Sequence, residues 1–121
     1  TTLTVAHPAS SLAGEPVGLA FDGQYLWVAE ESTDRVIAID PSNNTYVPGS
    51  SITGITLPGR LAFDGTSLWV QRSSSLYRID RATHTSAATA SAPMNPTIEA
   101  VFDGFGVWSA SPTGIARFTP L

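Results

Sequence analysis

The octet Phe21-Asp22-Gly23-Gln24-Tyr25-Leu26-Trp27-Val28 returns as Phe63-Asp64-Gly65-Thr66-Ser67-Leu68-Trp69-Val70. It returns once more, altered, as Phe102-Asp103-Gly104-Phe105-Gly106-Val107-Trp108-Ser109. The copies begin 63 − 21 = 42 and 102 − 63 = 39 residues apart. Each copy reads as an inner strand, an Asp-Gly turn and a second strand. The turn has a mechanical reason to recur, because Gly takes positive φ without steric cost and Asp tolerates it while hydrogen-bonding its own backbone.

A period near forty residues with β content points to propeller blades or trefoil lobes. The chain in order supports four strands per repeat. In the first, Val17, Leu19 and Phe21 alternate with Gly18 and Ala20, which suits a strand at a crowded axis. Tyr25 to Glu30 and Arg35 to Asp40 follow, then an Asx- and Pro-rich turn from Asp40 to Thr45 and a weaker fourth strand broken at Pro48-Gly49. The second repeat aligns without a gap at Asp80 to Thr85. The third runs Ile98 to Phe102, Gly106 to Ala110 and Ile115 to Thr119, with no fourth strand of its own. A separate short strand, Thr2 to Ala6, precedes the first repeat and supplies the strand the third one lacks. The expected organisation is a single domain over 1–121, with blade cores at about 17–56, 59–90 and 98–119 and strand 2–6 completing a blade.

The phrase Phe-Asp-Gly-x-x-Leu-Trp-Val, followed by Val36-Ile37-Ala38-Ile39-Asp40-Pro41, resembles bacterial surface β-propeller repeats of the YVTN or YncE-like type, and those of streptogramin B lyase. The resemblance implies an all-β fold, a β-propeller with three four-stranded blades per chain. Three blades are half of a six-bladed ring, so the resemblance also implies a homo-oligomer, a dimer in which each N-terminal strand completes the partner's blade. The alternative is a β-trefoil, which closes as a monomer.

Charge excludes some partners. The net charge is −4, and all six basic residues are Arg. A nucleic-acid or anionic lipid surface wants a basic patch, so neither is expected as a partner. Hydrophobic content of 42% against 13% charged fits a folded domain. No apolar run is long enough for membrane insertion, and no leader-like start is seen. Without cysteine there is no thiolate chemistry. The Lys-free, Ser/Thr-rich composition suggests an extracellular or virion-surface protein.

Candidate chemistry is sparse. Trp27, Trp69 and Trp108 could stack on sugars, but each stands between apolar neighbours and is expected to pack between blades. Asp22, Asp64 and Asp103 lack a second carboxylate in their turns, whereas calcium needs about six or more oxygens. No metal and no cofactor is expected. The lyase resemblance implies a His acid/base and magnesium on the face where inner strands begin. His84 falls in a turn on the opposite face and His7 lies beyond the first strand, so that activity does not carry over. Asn43-Asn44-Thr45 matches a glycosylation sequon that turn chemistry explains fully.

One set of charges is harder to dismiss. Alignment of the inner strands places Gly18, Arg60 and Glu99 at one position near the axis, and alignment of the second strands places Glu30, Arg72 and Ser111 near the same end. Arg60, Arg72, Glu99 and Glu30 are therefore the candidate ligand-binding rim, and replacing the two arginines is expected to remove binding while leaving the melting temperature nearly unchanged. The chain reads as no enzyme, with no catalytic residues, but as a structural or interaction module on a virion or cell surface. Its partners would be a second copy and other surface or virion proteins. A lectin-like protein binding glycans is the alternative, and a lyase-type enzyme follows behind it.

Overall fold

The structure, a computed structural model, describes residues 14–73, 75–91 and 99–118. The expected strand 2–6, His7, and the ends of the third repeat at Ile98 and Thr119 lie outside the described residues.

Among the described residues, twelve strands form three antiparallel sheets. Sheet 1 contains β1 (Pro16–Phe21), β2 (Leu26–Glu30), β3 (Arg35–Asp40), β4 (Thr45–Tyr46) and β5 (Ile52–Thr53). Sheet 2 contains β6 (Leu61–Phe63), β7 (Leu68–Arg72), β8 (Ser75–Asp80) and β9 (Thr85–Ser91). Sheet 3 contains β10 (Glu99–Phe102), β11 (Val107–Ser111) and β12 (Gly114–Phe118). Each is a meander in chain order, and the described strands pair only within these three sheets. That is the arrangement of separate blades, not of a trefoil's continuous barrel.

The fourth strand of sheet 1 is split for a local reason. Pro48 has no N–H to give the ladder. β4 pairs with the end of β3 and β5 with its start. Between them the Ser50 hydroxyl accepts from the Ala38 amide at 3.0 Å, standing in for the missing strand. Between β2 and β3 the chain makes a 3-10 turn, Glu31–Thr33, ended by Asp34 in the left-handed region.

The strands are apolar on both faces because the sheets stack face to face. β1, β6 and β10 run side by side. Between sheets 1 and 2, Trp27, Ala29, Val36 and Ala38 meet Leu61, Leu68, Val70 and Ile79, with Ile52 and Ile55 filling the outer end. Between sheets 2 and 3, Ala62, Trp69 and Leu76 meet Ala100 and Val107. The same rule governs both layers. The tryptophans of sheets 1 and 2 point toward the sheet that follows, and the other side of the second strand, Leu68 and Val70 in sheet 2 and Val107 in sheet 3, receives the sheet before. A buried Ser109 hydroxyl donating to Gln71 Oε1 at 3.0 Å adds a polar tie to the second layer.

Candidate functional site

Each octet folds into the same clamp. Gly23, Gly65 and Gly104 sit at φ +94°, +94° and +98°, where a side chain would be strained. The turn lets one Asp oxygen accept two amides: Gln24 and Tyr25 for Asp22, Thr66 and Ser67 for Asp64, Phe105 and Gly106 for Asp103. The other oxygen accepts the indole N–H five residues on. Trp27 donates to Asp22 at 2.8 Å, Trp69 to Asp64 at 2.7 Å and Trp108 to Asp103 at 2.6 Å. The turn bonds were expected, but the indole bonds were not. Their signal was in plain view, since Asp and Trp stand five apart in every copy.

An arginine attends each clamp. Arg117 pairs with Asp103 at 3.5 Å and lies over the Trp108 ring. Arg78 occupies the same strand position in sheet 2; it donates to Ser67 Oγ at 2.7 Å and helps lower the Asp64 pKa. In sheet 1 that position is Ala38, small enough for the core, and the cation comes from elsewhere. Arg81, in the β8–β9 turn, reaches across to Asp22 at 2.7 Å and covers the Phe63 ring. The residue matching Arg81 in sheet 1 is Pro41. Burial alone would push the Asp22 carboxyl up. The Trp27 indole, the Tyr25 amide, Arg81 and the Gln24 amide outweigh it and bring the group down to about 2. Asp103 also falls to about 2, through Trp108 first and then its two amides.

Concavities lie at both ends of β1, and another of about 360 Å³ lies beside the sheet 2 clamp, at Ser67, Arg78 and Asp80. Near the Asp22 end, a cleft of about 260 Å³ between sheets 1 and 2 is lined by Asp22, Gln24, Tyr25, Arg81 and His84, with Trp27 at its base. His84 stands at φ +54° in the turn and meets the Trp27 ring edge-on at 6.2 Å. The polar groups at its base are spent on the clamp. Trp27 and Trp69 are buried and offer no face for sugar stacking, whereas Trp108, expected between blades, is half-exposed.

At the other end, a groove of about 450 Å³ is lined by Val17, Gly18, Leu19, Arg60 and Glu99. The three aligned positions Gly18, Arg60 and Glu99 thus come together on the inner strands. Gly18 has to be small, because a Cβ there would lie 2.4 Å from the Gly59 carbonyl oxygen. Arg60 donates to the Val17 carbonyl, and Glu99 Oε1 accepts from its neighbour's amide at 3.0 Å. Arg72 and Glu30 are not brought to this groove. Arg72 donates to the Thr56 carbonyl at 2.6 Å on the segment joining sheets 1 and 2. Glu30 is fully buried beneath Arg35 and Thr33, with one carboxylate oxygen taken by both and the other without a hydrogen-bond partner among the described residues. Among the described residues no group of three His, Cys, Asp or Glu side chains is placed to hold a metal.

Arg60, just before β6, holds the Val17 carbonyl of sheet 1, and Arg72 holds the segment that joins sheets 1 and 2, so both side chains contribute to the fold. Arg60→Ala and Arg72→Ala are each expected to cost about 1 kcal/mol, read as a lower denaturation midpoint. An unchanged midpoint would show that neither bond contributes.

With this geometry in hand, comparison with known proteins speaks to the fold. No protein-family model and no curated protein matches the sequence, the YVTN type included. Among solved structures, the chain is similar to one in the crystal structure of the nidogen/laminin complex. The TM-score is 0.69 at 13% identity, covering 80% of this chain and 40% of that one. It is also similar to a chain in the mitotic checkpoint complex, with a TM-score of 0.66 at 8% identity, covering 86% and 35%. The fold is β-propeller-like, and the chain spans well under half the length of these two structures.

Proposed function

We propose that this chain is a non-enzymatic protein-interaction module, a propeller sector that completes itself by joining a second copy. The observation that carries the reading is a set of exposed apolar side chains at each end of the stack, Leu19 and Phe21 on the inner strand of sheet 1 and Val101 and Ile115 on sheet 3. Exposed apolar side chains, where they gather into a patch, mark interaction sites in soluble proteins. Covering it stabilises an assembly by about 25 cal/mol per Å² before the costs of association. The solved structures that share the fold come from protein complexes, which supports an interaction role. Exchange of strand 2–6 between copies belongs to the proposal on the strength of the sequence pattern. So does an extracellular or virion-surface setting. In a closed ring the groove at Arg60 and Glu99 would face the axis, where a further partner could dock.

Sedimentation equilibrium is the test. The expected particle has a mass of 2 × 12.7 kDa, two chains. A stable, well-folded monomer at micromolar concentration would overturn the reading.

A further inference from the structure

We propose that the cleft between sheets 1 and 2 binds an uncharged acetamido sugar, a single ring of the N-acetylglucosamine kind. Its acetamido group would seat against Ser50 and its hydroxyls would turn toward Tyr25 and His84.

Three departures from the repeat meet in this cleft. On the third strand, the residue opposite each tryptophan is Arg78 in sheet 2 and Arg117 in sheet 3, but Ala38 in sheet 1. A methyl group thus lines the cleft where the other sheets carry a guanidinium. The fourth strand of sheet 2 is continuous over Thr85–Ser91, whereas that of sheet 1 is broken between Tyr46 and Ile52. The break brings Ser50 to the sheet 1 wall of the cleft. The third departure is His84. It stands at φ +54° in its turn, where Asn44 stands at φ +59° in sheet 1. Asn tolerates this left-handed region and closes the same turn, so the backbone does not require an imidazole. The ring lines the cleft beside Trp27.

The polar groups not spent on the clamp set the ligand class. Ser50 is 3% exposed, and among the described residues its hydroxyl makes one hydrogen bond, accepting the Ala38 amide. A hydroxyl also has a proton to donate, and a buried donor without an acceptor is costly. Ala38 and Val47, both bonded to this stretch through their backbones, add apolar lining next to it. A carbonyl with a methyl group attached matches the pair of demands, and an acetamido group carries both. Gln24 is exposed and Tyr25 and His84 are half-buried; their side chains make no hydrogen bond to the described residues. Between them an amide, a phenol and an imidazole donate and accept, as sugar hydroxyls do. Asp22 and Arg81 are paired at 2.7 Å, so they leave no unmatched charge for an ionic ligand. The volume, about 260 Å³, lies just below the range of about 300–1,000 Å³ for drug-sized ligands and fits one ring. Recognition runs along the edge of that ring, since Trp27 is buried and offers no face. All the lining comes from one chain, so the cleft owes nothing to pairing with a second copy.

Calorimetric titration with N-acetylglucosamine, and with glucose as the ring that lacks the acetamido group, is the test. N-acetylglucosamine is expected to bind saturably and glucose about tenfold more weakly, the loss of one hydrogen bond to a buried donor. Tyr25→Phe and His84→Asn each remove one polar group outside the clamp. Both are expected to keep the parent's melting temperature and to weaken binding about three- to tenfold. Ser50→Ala is expected to erase the preference for the acetamido ring. Where that variant does not fold, because the Ala38 amide has lost its acceptor, the other two decide. No heat from either sugar would assign the Ser50 proton to water alone and overturn the proposal. Equal affinity for the two sugars would overturn it as well, and so would an affinity unchanged in both Tyr25→Phe and His84→Asn.

Discussion

Trp69→Ala is expected to lower the folding free energy by about 3–5 kcal/mol in chemical denaturation, the range for large aromatic truncations in a core. Trp69 is buried between sheets 2 and 3, against Ala100 and Val107, and its indole N–H satisfies Asp64. Removing it opens a cavity and strips the carboxylate of a partner together. Trp108→Ala supplies the internal control. Its ring makes the same bond to Asp103 but is half-exposed. The control should lose much less when both are measured at concentrations where chains are separate. Equal losses would mean that burial between sheets is not what the tryptophans contribute.

The second large effect is acid sensitivity centred on Asp22. Its carboxyl drops from the ordinary 3.8 to about 2 in the folded chain. A depressed carboxylate stabilises the fold above the unfolded pKa, and that stabilisation disappears as pH falls through the folded value. Nearly two units correspond to about 2.5 kcal/mol; allowing for solvent at the cleft mouth, about 2 kcal/mol is expected. Stability should therefore be steady above pH 5 and decline between about pH 4 and 2. Asp22→Asn should start lower at neutral pH and lose part of that slope. Parallel curves for the two proteins between pH 5 and 2 would show that Asp22 carries no such linkage.

Much of the fold was legible because strand periodicity and turn chemistry are local. The Asp-Gly turns, the three meanders and the interruption at Pro48 follow from residues within a few positions of one another. The alignment of Gly18, Arg60 and Glu99 was legible too, since inner strands in register bring equal positions together. What escaped was set by distance along the chain or by a neighbour's size. Glu30 aligns with Arg72, yet it is buried because Arg35 lies opposite it in register and reaches its carboxylate. Arg72 turns instead to the connecting segment. Arg81 gave no hint that it would cross 59 positions to Asp22, a reach that makes sense only once Ala38 leaves that clamp without its own cation. Trp108 reads in sequence like its two counterparts. Its partial exposure depends on what stands beside sheet 3, which no residue of its own repeat specifies.

Arg81 latches the layer between sheets 1 and 2 with an ion pair, and among the described residues no such latch is placed to join sheet 3 of one copy to sheet 1 of another. Pro41 stands where Arg81 would be needed, and Asp103 is already held by Arg117 of its own sheet. Contact there would rest on apolar side chains, whose attraction is not screened by dissolved ions. A ring joined in this way would ignore ionic strength over the physiological range and come apart on dilution or in urea. Its permanence would be governed by how crowded the chains are, not by the saltiness of the medium around them.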